Sequence, residues 1–296
     1  FLLAALLRLV PWLTKTLRLM NWLDFRGHPV TFRRALKVTV MTELGALISP
    51  TLVGGEPIKA GMLYGRGISL GEATSLTTME AVENMTVYVV GIPIALIAAS
   101  ALHVGRLGRF LNTGLAPGYW IYWLAFGVLA ATAGVLVVLW RRGAMPKLRA
   151  RVLRFWLDFR RLYAEILRRG KSRFLGNLGL TLIHWTCRYS VVTALAFSLG
   201  HRVDILTVII LQWIVFAVMM LVPTPGATGG AEAAFLVLFA GIIPNGALGT
   251  ILIGWRFLDY YFMTIVAMAI VAVDGLLSRR LKGSETADEA GKSLTA

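Results

Sequence analysis

The chain has 296 residues, of which 57% are hydrophobic and only 15% are charged, and its mean hydropathy is +0.72. Because a water-soluble domain carries about a quarter charged residues and under half apolar ones, this composition excludes a soluble enzyme, an extracellular disulfide scaffold and a disordered protein. The single cysteine, Cys187, has no second cysteine with which to form a disulfide or a metal site. The sequence therefore predicts an all-α polytopic membrane protein.

The net charge of +15 comes from two segments of the chain. Residues 14–37 carry six basic and one acidic residue, and residues 141–173 carry twelve basic and two acidic residues. Lysine- and arginine-rich loops stay on the cytoplasmic side of a membrane, so we place both segments there and expect no nucleic-acid partner. Within 141–173, apolar residues recur at helical spacing, which predicts a basic amphipathic helix that binds anionic membrane lipids.

The first hundred residues combine two apolar segments with an interrupted one. Residues 1–20 predict the end of a helix that begins upstream of Phe1, and residues 74–100 exceed the ~20 apolar residues that span a membrane. Residues 38–65 are interrupted by proline and paired glycine, which break helices. Irregular backbone at membrane depth has to be buried in protein or face water. We therefore predict a re-entrant hairpin over 38–65.

The second half of the chain repeats this order. Residues 118–140 predict a connecting helix, residues 175–199 and 247–273 predict two more spans, and residues 205–241 predict a second re-entrant hairpin interrupted by proline and glycine. With both interrupted segments as hairpins, the two basic segments and the C-terminus fall on the cytoplasmic side of a plasma membrane. This agreement supports the hairpin interpretation.

The two halves also match in the spacing of their charges. In both copies, charged residues follow the paired glycines at offsets of 24 and 27 from the first carboxylate: Glu56, Glu80 and Glu83, and Glu232, Arg256 and Asp259. We therefore predict one membrane domain over 1–274 with an inverted-topology repeat. Its copies are 1–100 and 175–274, the helix at 118–140 reverses the second copy, and a polar tail covers 275–296. Such repeats place a transporter's substrate site where discontinuous helices meet.

Two motifs make the chain resemble a known family. Residues 54–67 (GGEPIKAGMLYGRG) and residues 223–234 (PTPGATGGAEAA) resemble the lysylphosphatidylglycerol synthase transmembrane family, whose best-known members form the flippase half of multiple-peptide-resistance factors. The resemblance covers nearly the whole chain and implies lipid translocation: of an aminoacylated phospholipid in some relatives, and of polyprenyl-linked or other anionic lipids in others. In bifunctional relatives a separate soluble domain transfers the aminoacyl group. Nothing after residue 274 resembles that domain, so a separate lipid-synthesising enzyme is a candidate partner.

The interrupted helices predict an anion site. A half-helix that starts inside the membrane points free N–H groups and the positive end of its dipole into the protein, and glycines let the backbone approach a ligand closely. Basic side chains that follow would bind a phosphate. The candidate substrate-binding residues are Gly54, Gly55, Glu56, Lys59, Arg66, Arg188, Gly229, Gly230, Glu232 and Arg256.

A structural interpretation of the same charges stays open. Glu56 and Glu232 are candidates for helix caps, where a carboxylate offsets the dipole. Glu80, Glu83 and Asp259 either couple transport to a proton or cation, or form buried ion pairs with basic residues of the site. No histidine cluster or Walker loop is present, so we expect no metal, no cofactor and no ATP hydrolysis.

The predicted function is that of a lipid flippase, which moves an anionic or zwitterionic lipid between leaflets through a headgroup cavity near the midplane. One alternative is a small-anion or small-molecule secondary transporter with the same architecture. A less favoured alternative is a membrane-embedded enzyme that modifies lipid headgroups with Glu56 or Glu232 as acid/base. It is less favoured because no nucleophile–base pair accompanies these carboxylates.

Overall fold

The computed structural model describes residues 1–49, 54–101, 146–219, 222, 224 and 226–275. These residues are mostly helical and form no β-strand, which confirms the all-α class. Their helices, numbered in chain order, are α1 (Leu2–Phe25), α2 (Phe32–Ile48), α3 (Gly55–Tyr64), α4 (Leu70–Ala101), α5 (Pro146–Arg169), α6 (Lys171–Ser198), α7 (Ile205–Met219), α8 (Gly230–Phe239) and α9 (Asn245–Arg256). The chain continues from α9 through a π-helix (Phe257–Phe262) to Gly275. The predicted helix at 118–140 and residues 276–296 lie outside the described residues.

Helix α1 corrects the interpretation of residues 14–37 as a loop. The helix continues without a break past Pro11 to Phe25, so the first part of that segment is helical. Arg18 is 2% exposed, and the Lys15 side chain is 18% exposed. Arg18 is buried and Lys15 is partly buried, and carboxylates of neighbouring helices pair with both. Positive charges that are neutralised inside the protein do not indicate which side of the membrane a segment occupies. The excess of positive charge that the rest of residues 14–37 carries as a loop is therefore smaller than the sequence indicates.

Two helical hairpins replace continuous helices at the predicted interruptions. In the first, α2 and α3 run antiparallel: Gly55 lies against Thr42 near the tip, and Arg66 donates to the Arg34 carbonyl (3.4 Å) at the other end. The Ser49 hydroxyl accepts a hydrogen bond from the Gly54 amide (2.8 Å), which connects the end of α2 to the start of α3.

The second hairpin consists of α7 and α8, which also pack against each other. A side chain at Gly230 would collide with Val222, and Gly226 adopts a φ of +62° that favours glycine. The glycines therefore permit both the turn and the close approach of α8 to the end of the preceding segment.

Helices α1 and α6 form the most extensive contact between elements; α2 packs against α1, α7 packs against α6, and each of the two long helices contacts both α1 and α6. Buried apolar residues form one large cluster mainly on α6–α9, a second that joins α1, α2 and α4, and a third in which α1 and α2 pack against Met263 and Ala267. The order helix, hairpin, long helix therefore occurs twice, first as α1, α2/α3 and α4, and then as α6, α7/α8 and the segment from 245 to 275.

One helix of the described part of the chain, Asn245–Gly275, is both long and apolar enough to cross a membrane. Two shorter apolar stretches, Ile205–Phe216 and Gly230–Phe239, lie in α7 and α8. The predicted spans at 74–100 and 175–199 correspond to α4 and α6, which have 32 and 28 residues but carry several charged side chains. Large apolar side chains are exposed on all three long helices, among them Val89 (70%), Leu182 (54%) and Ile253 (71%).

Candidate functional site

One face of α1 carries three basic residues into the interior. Arg8, Lys15 and Arg18 are spaced by seven and three residues, which places them on the same side of a helix with 3.6 residues per turn. The carboxylates that meet them come from α2, α4 and the π-helix. Buried charges require such partners, since an unpaired charge in a low-dielectric interior is strongly destabilising. These ion pairs form the centre of the candidate site.

The first part of the site lies between α1, α2, α3 and α4. The Lys59 ammonium contacts Oε2 of Glu80 at 2.5 Å, and the Lys15 ammonium contacts Oε1 of the same carboxylate at 3.3 Å and Glu43 at 2.5 Å. A small cavity of about 10 Å³, room for about one water molecule, lies here, lined by Lys15, Thr39, Thr42, Lys59 and Glu80. Two ammonium groups and two threonine side chains therefore surround one carboxylate at this small cavity.

The second part is centred on Glu83, one turn further along α4. This carboxylate is fully buried and accepts hydrogen bonds from Arg18 Nε (2.6 Å), Trp22 Nε1 (2.6 Å) and Asn177 Nδ2 (2.9 Å). Asn177 in turn accepts a hydrogen bond from Asn21 (2.8 Å). With three donors on its two oxygens, the Glu83 carboxylate is fully satisfied and connects α4 to α1 and α6.

The third part is centred on Asp259 in the π-helix. Its carboxylate contacts Arg8 Nε at 2.8 Å and Arg188 Nη2 at 3.2 Å. The Arg188 guanidinium also lies over the ring of Phe216, with 4.4 Å between its central carbon and the ring centroid. One acidic side chain thus neutralises two buried guanidinium groups from α1 and α6. π-Helical turns occur frequently at functional sites.

The fourth part lies at the second hairpin. Arg256 contacts Glu232 (2.6 Å) and donates two hydrogen bonds to the Gly226 carbonyl at the tip (both 3.2 Å). The other oxygen of Glu232 accepts from the Gly229 amide (2.7 Å), so this carboxylate caps α8 as well as pairing with Arg256. Arg256 therefore attaches the tip to the long helix.

Two predicted residues take no part in these ion pairs, although Glu56 lies close enough to Lys59 and Lys15 to interact with them electrostatically. Glu56 lies in the first turn of α3 but is exposed, and it forms no ion pair with any other described residue. Arg66 lies at the opposite end of the first hairpin. There it lines a broad open cavity with Arg33, Arg34 and Lys37. Of the predicted binding and coupling side chains, those brought into the buried ion-pair system are Lys59, Glu80, Glu83, Arg188, Glu232, Arg256 and Asp259.

The four predicted glycines frame the starts of α3 and α8. Gly54 and Gly229 are the residues that precede each helix, and Gly55 and Gly230 are the first residues within it. A Cβ at Gly55 would lie 2.3 Å from the Thr42 carbonyl oxygen, so the absence of a side chain is required for the packing of the hairpin. The glycines have a structural role, and their contact with a substrate stays a prediction.

Sequence reasoning did not identify Arg8, Lys15, Arg18 and Glu43 as parts of the site. The spacing of the three basic residues on one helical face was the available signal. Assigning the segment from residue 14 to a cytoplasmic loop concealed it. The partners of these residues come from sequence positions up to 251 residues away, as for Arg8 and Asp259, so no local pattern predicts them.

Among residues 1–49, 54–101, 146–219 and 226–275, no group of three or more His, Cys, Asp or Glu side chains is arranged to hold a metal ion. The single described cysteine, Cys187, is free. The expectation that the protein uses no cofactor stays a prediction.

Comparison with known proteins gives two findings. The family described as the lysylphosphatidylglycerol synthase TM region matches residues 1–267. A UPF0104 membrane protein of Archaeoglobus fulgidus is 23% identical over 266 residues, which cover 87% of this chain and 81% of that protein. The chain is therefore a membrane protein that belongs to the lysylphosphatidylglycerol synthase transmembrane-region family.

Proposed function

We propose that this protein is a lipid flippase, which moves a phosphate-bearing anionic or zwitterionic lipid between leaflets without a covalent step. Two re-entrant hairpins, α2/α3 and α7/α8, would enter the membrane from opposite faces, as halves of an inverted repeat. The headgroup would cross at the buried charges between them while the acyl chains stay in lipid. A charge at the bilayer centre costs at least about 3 kcal/mol on insertion scales, and lowering this cost is the task of the site.

The observation that carries the proposal is the repeated pairing of charges. In the first copy, the hairpin pairs with the long helix through Lys59 and Glu80, and in the second copy through Glu232 and Arg256, with the signs exchanged. Three residues further along each long helix, a carboxylate pairs with an arginine of the first helix of its copy: Glu83 with Arg18, and Asp259 with Arg188. This correspondence supports an inverted-repeat transporter.

A second candidate function is transport of a small anion. It is favoured by the cavity between α1 and α4, whose lining residues are all polar. A lipid-translocating path needs apolar walls for the acyl chains, whereas a small anion does not. Both candidates use the same basic side chains, so the experiment has to separate them by substrate.

The test is leaflet exchange in reconstituted liposomes. Fluorescent phosphatidylglycerol in the inner leaflet becomes accessible to a membrane-impermeant quencher when it is translocated, and entrapped radiolabelled phosphate in parallel liposomes reports small-anion transport. We expect lipid exchange without phosphate release. Phosphate release without exchange of phosphatidylglycerol or of fluorescent phosphatidylcholine would favour the second candidate, and conversion of the lipid to a new product would favour the enzyme.

Two variants connect the activity to the site. Lys59→Ala and Arg256→Ala are each expected to lower lipid exchange at least tenfold, because each removes a cation from the region between the hairpins. Arg173→Ala is the matched control, since Arg173 is 41% exposed and pairs with Asp24 at the end of α1. All three proteins have to insert and elute normally. Full activity of both site variants would refute the assigned headgroup path.

A further inference from the structure

The Glu80 carboxylate bridges two lysines that line the cavity between α1 and α4. One oxygen contacts Lys59 and the other contacts Lys15, so two oxygens on one carbon atom are bound by two ammonium groups from different helices. A phosphate group presents its non-bridging oxygens in a similar way, two on one phosphorus atom. The carboxylate therefore occupies a position that suits a phosphate.

The remaining lining groups also suit a phosphate. Thr16 donates its only hydroxyl proton to a backbone carbonyl (2.7 Å), so the Thr39 hydroxyl donates to Thr16 Oγ1 (3.2 Å), and the Thr42 hydroxyl donates to a backbone carbonyl (2.8 Å). Each of the two lining hydroxyls has to turn from its present acceptor to donate to a ligand. Thr39 and Thr42 are each 5% exposed, and Lys59 is 4% exposed. Hydroxyl and ammonium donors in a buried cavity are a frequent combination for binding anions, and the cavity is so small that a phosphate has to take the place of the Glu80 carboxylate.

A third observation concerns Arg18, which has a nitrogen that could bind the Glu80 carboxylate after a ligand displaces it. Arg18 donates from Nη2 to the Glu80 backbone carbonyl (3.2 Å). Its Nη1 is buried and has no hydrogen-bond partner in the part of the chain that the structure describes. A buried donor without a partner is costly, so an acceptor that reaches it is stabilised. An unsatisfied guanidinium nitrogen thus lies on a residue that already contacts α4 at position 80.

We infer that Lys15, Lys59, Thr39 and Thr42 form a phosphate-binding subsite, and that the Glu80 carboxylate is an internal anion that the ligand displaces. The identification of the ligand as a lipid rests on the proposed function, whereas the subsite itself does not. Without ligand, Glu80 neutralises the lysines and keeps the interior stable. With ligand, the phosphate takes over this role and Glu80 turns toward Arg18.

The inference predicts that removing the competing carboxylate strengthens binding. Glu80→Gln of the full-length protein in detergent is expected to bind dioctanoyl phosphatidylglycerol at least tenfold more tightly than the unchanged protein, as measured by isothermal titration calorimetry. Glu72→Gln is the matched control. Glu72 lies on the same helix and also contacts two basic side chains, Arg26 (2.7 Å) and His28 (3.6 Å), but it lies outside the cavity. Its affinity for the probe should not change.

Binding of three different ligands shows which chemical group the subsite binds. Inorganic phosphate should also bind more tightly to Glu80→Gln, and dioctanoylglycerol, which has no phosphate, should show no difference between the proteins. If the gain occurs with phosphatidylglycerol but not with phosphate, the site needs the lipid as a whole, and the free ion is excluded as its ligand. An equal gain with dioctanoylglycerol would overturn the inference, because the effect would then not depend on the phosphate.

A merely structural role for Glu80 makes the opposite prediction. If Glu80 only stabilises the fold, Glu80→Gln lowers the melting temperature and leaves the affinity unchanged or weaker, which would overturn the inference. If that variant does not fold, Thr39→Val provides the test, since it removes a hydroxyl and keeps every ion pair. We expect at least threefold weaker binding of phosphatidylglycerol, with Thr74→Val as the control, because Thr74 is a half-buried threonine of α4 that lies outside the cavity. Unchanged affinity in Thr39→Val would overturn the inference as well.

These results are independent of the flippase proposal. Tighter binding to Glu80→Gln together with no leaflet exchange by the unchanged protein would retain the subsite and refute lipid translocation. Leaflet exchange together with unchanged binding by Glu80→Gln and Thr39→Val would retain translocation and refute the subsite.

Discussion

Asp259 and Asp274 allow the contribution of buried ion pairs to be measured within one helix. Each carboxylate bridges two basic side chains. Asp259 bridges Arg8 and Arg188, whose side chains are 1% and 12% exposed, whereas Asp274 bridges Arg33 and Lys37, whose side chains are 55% and 43% exposed. Replacing each aspartate by asparagine removes the same charge with almost no change in shape. The two variants therefore differ mainly in the environment of the cations left behind.

The expected effects differ by at least about 2 kcal/mol. Removing one partner of a buried ion pair destabilises a protein by about 3–5 kcal/mol, because the other charge stays buried without compensation. For Asp259→Asn two guanidinium groups are affected, so we expect the upper part of this range. An exposed pair contributes about 0.2–1 kcal/mol, and water and salt ions replace the lost partner. Asp274→Asn should therefore lower the free energy of unfolding by no more than about 1 kcal/mol.

The measurement is the free energy of unfolding in detergent micelles, obtained by denaturant titration and followed by circular dichroism. A second substitution strengthens it. Arg8→Met added to Asp259→Asn should recover part of the lost stability, because it removes one of the two uncompensated charges and keeps an apolar side chain of similar length. The reasoning would be refuted if Asp259→Asn and Asp274→Asn were equally destabilising, or if Arg8→Met made the first variant still less stable.

Two further predictions concern helix packing. Gly55→Ala should destabilise the protein by about 1–3 kcal/mol, since its Cβ would lie 2.3 Å from the Thr42 carbonyl oxygen, whereas Gly61→Ala, with no atom within 4 Å of its Cβ, should be neutral or slightly stabilising in the same unfolding assay. Equal effects would show that α2 and α3 do not pack closely. Gln212→Leu should raise the stability by about 1 kcal/mol, because Gln212 is fully buried and neither atom of its amide has a hydrogen-bond partner among the described residues. A loss of stability would mean that the amide has an unrecognised partner, such as a bound water.

The positions of the helix breaks were predictable from sequence because glycine and proline act locally. The paired glycines at 54–55 and 229–230 place the starts of α3 and α8 to the residue. The positions of Glu80, Glu83, Arg256 and Asp259 on the long helices were also predictable, since charges in apolar segments are rare and their register is preserved within a helix.

The pairing of the charges was not predictable in the same way. Lys15 and Arg18 belong to a basic segment whose composition is typical of a cytoplasmic loop. Only the packing of α1 against α4 and α6 shows that their side chains lie inside the protein. Glu232 was predicted as a cap and Arg256 as a substrate ligand, and the structure connects the two, because the end of a half-helix and the adjoining long helix meet at the tip. No local sequence signal distinguishes the π-helix at Phe257–Phe262 from an ordinary α-helical turn.

Because of this π-helix, the side chains that follow Phe262 point in different directions from those they would have in a continuous α-helix. An α-helix turns by about 100° per residue, and a π-helical turn accommodates one additional residue without rotating the preceding part. If Phe257–Phe262 became regular α-helix with no residue deleted, the following segment would turn by about 100°. Met263 and Ala267 would then leave their contacts with Trp12 and Val40, while Trp255 kept its place beside Phe235. The extra residue thus lets a single helix present one face to the second hairpin and a differently oriented face to the first.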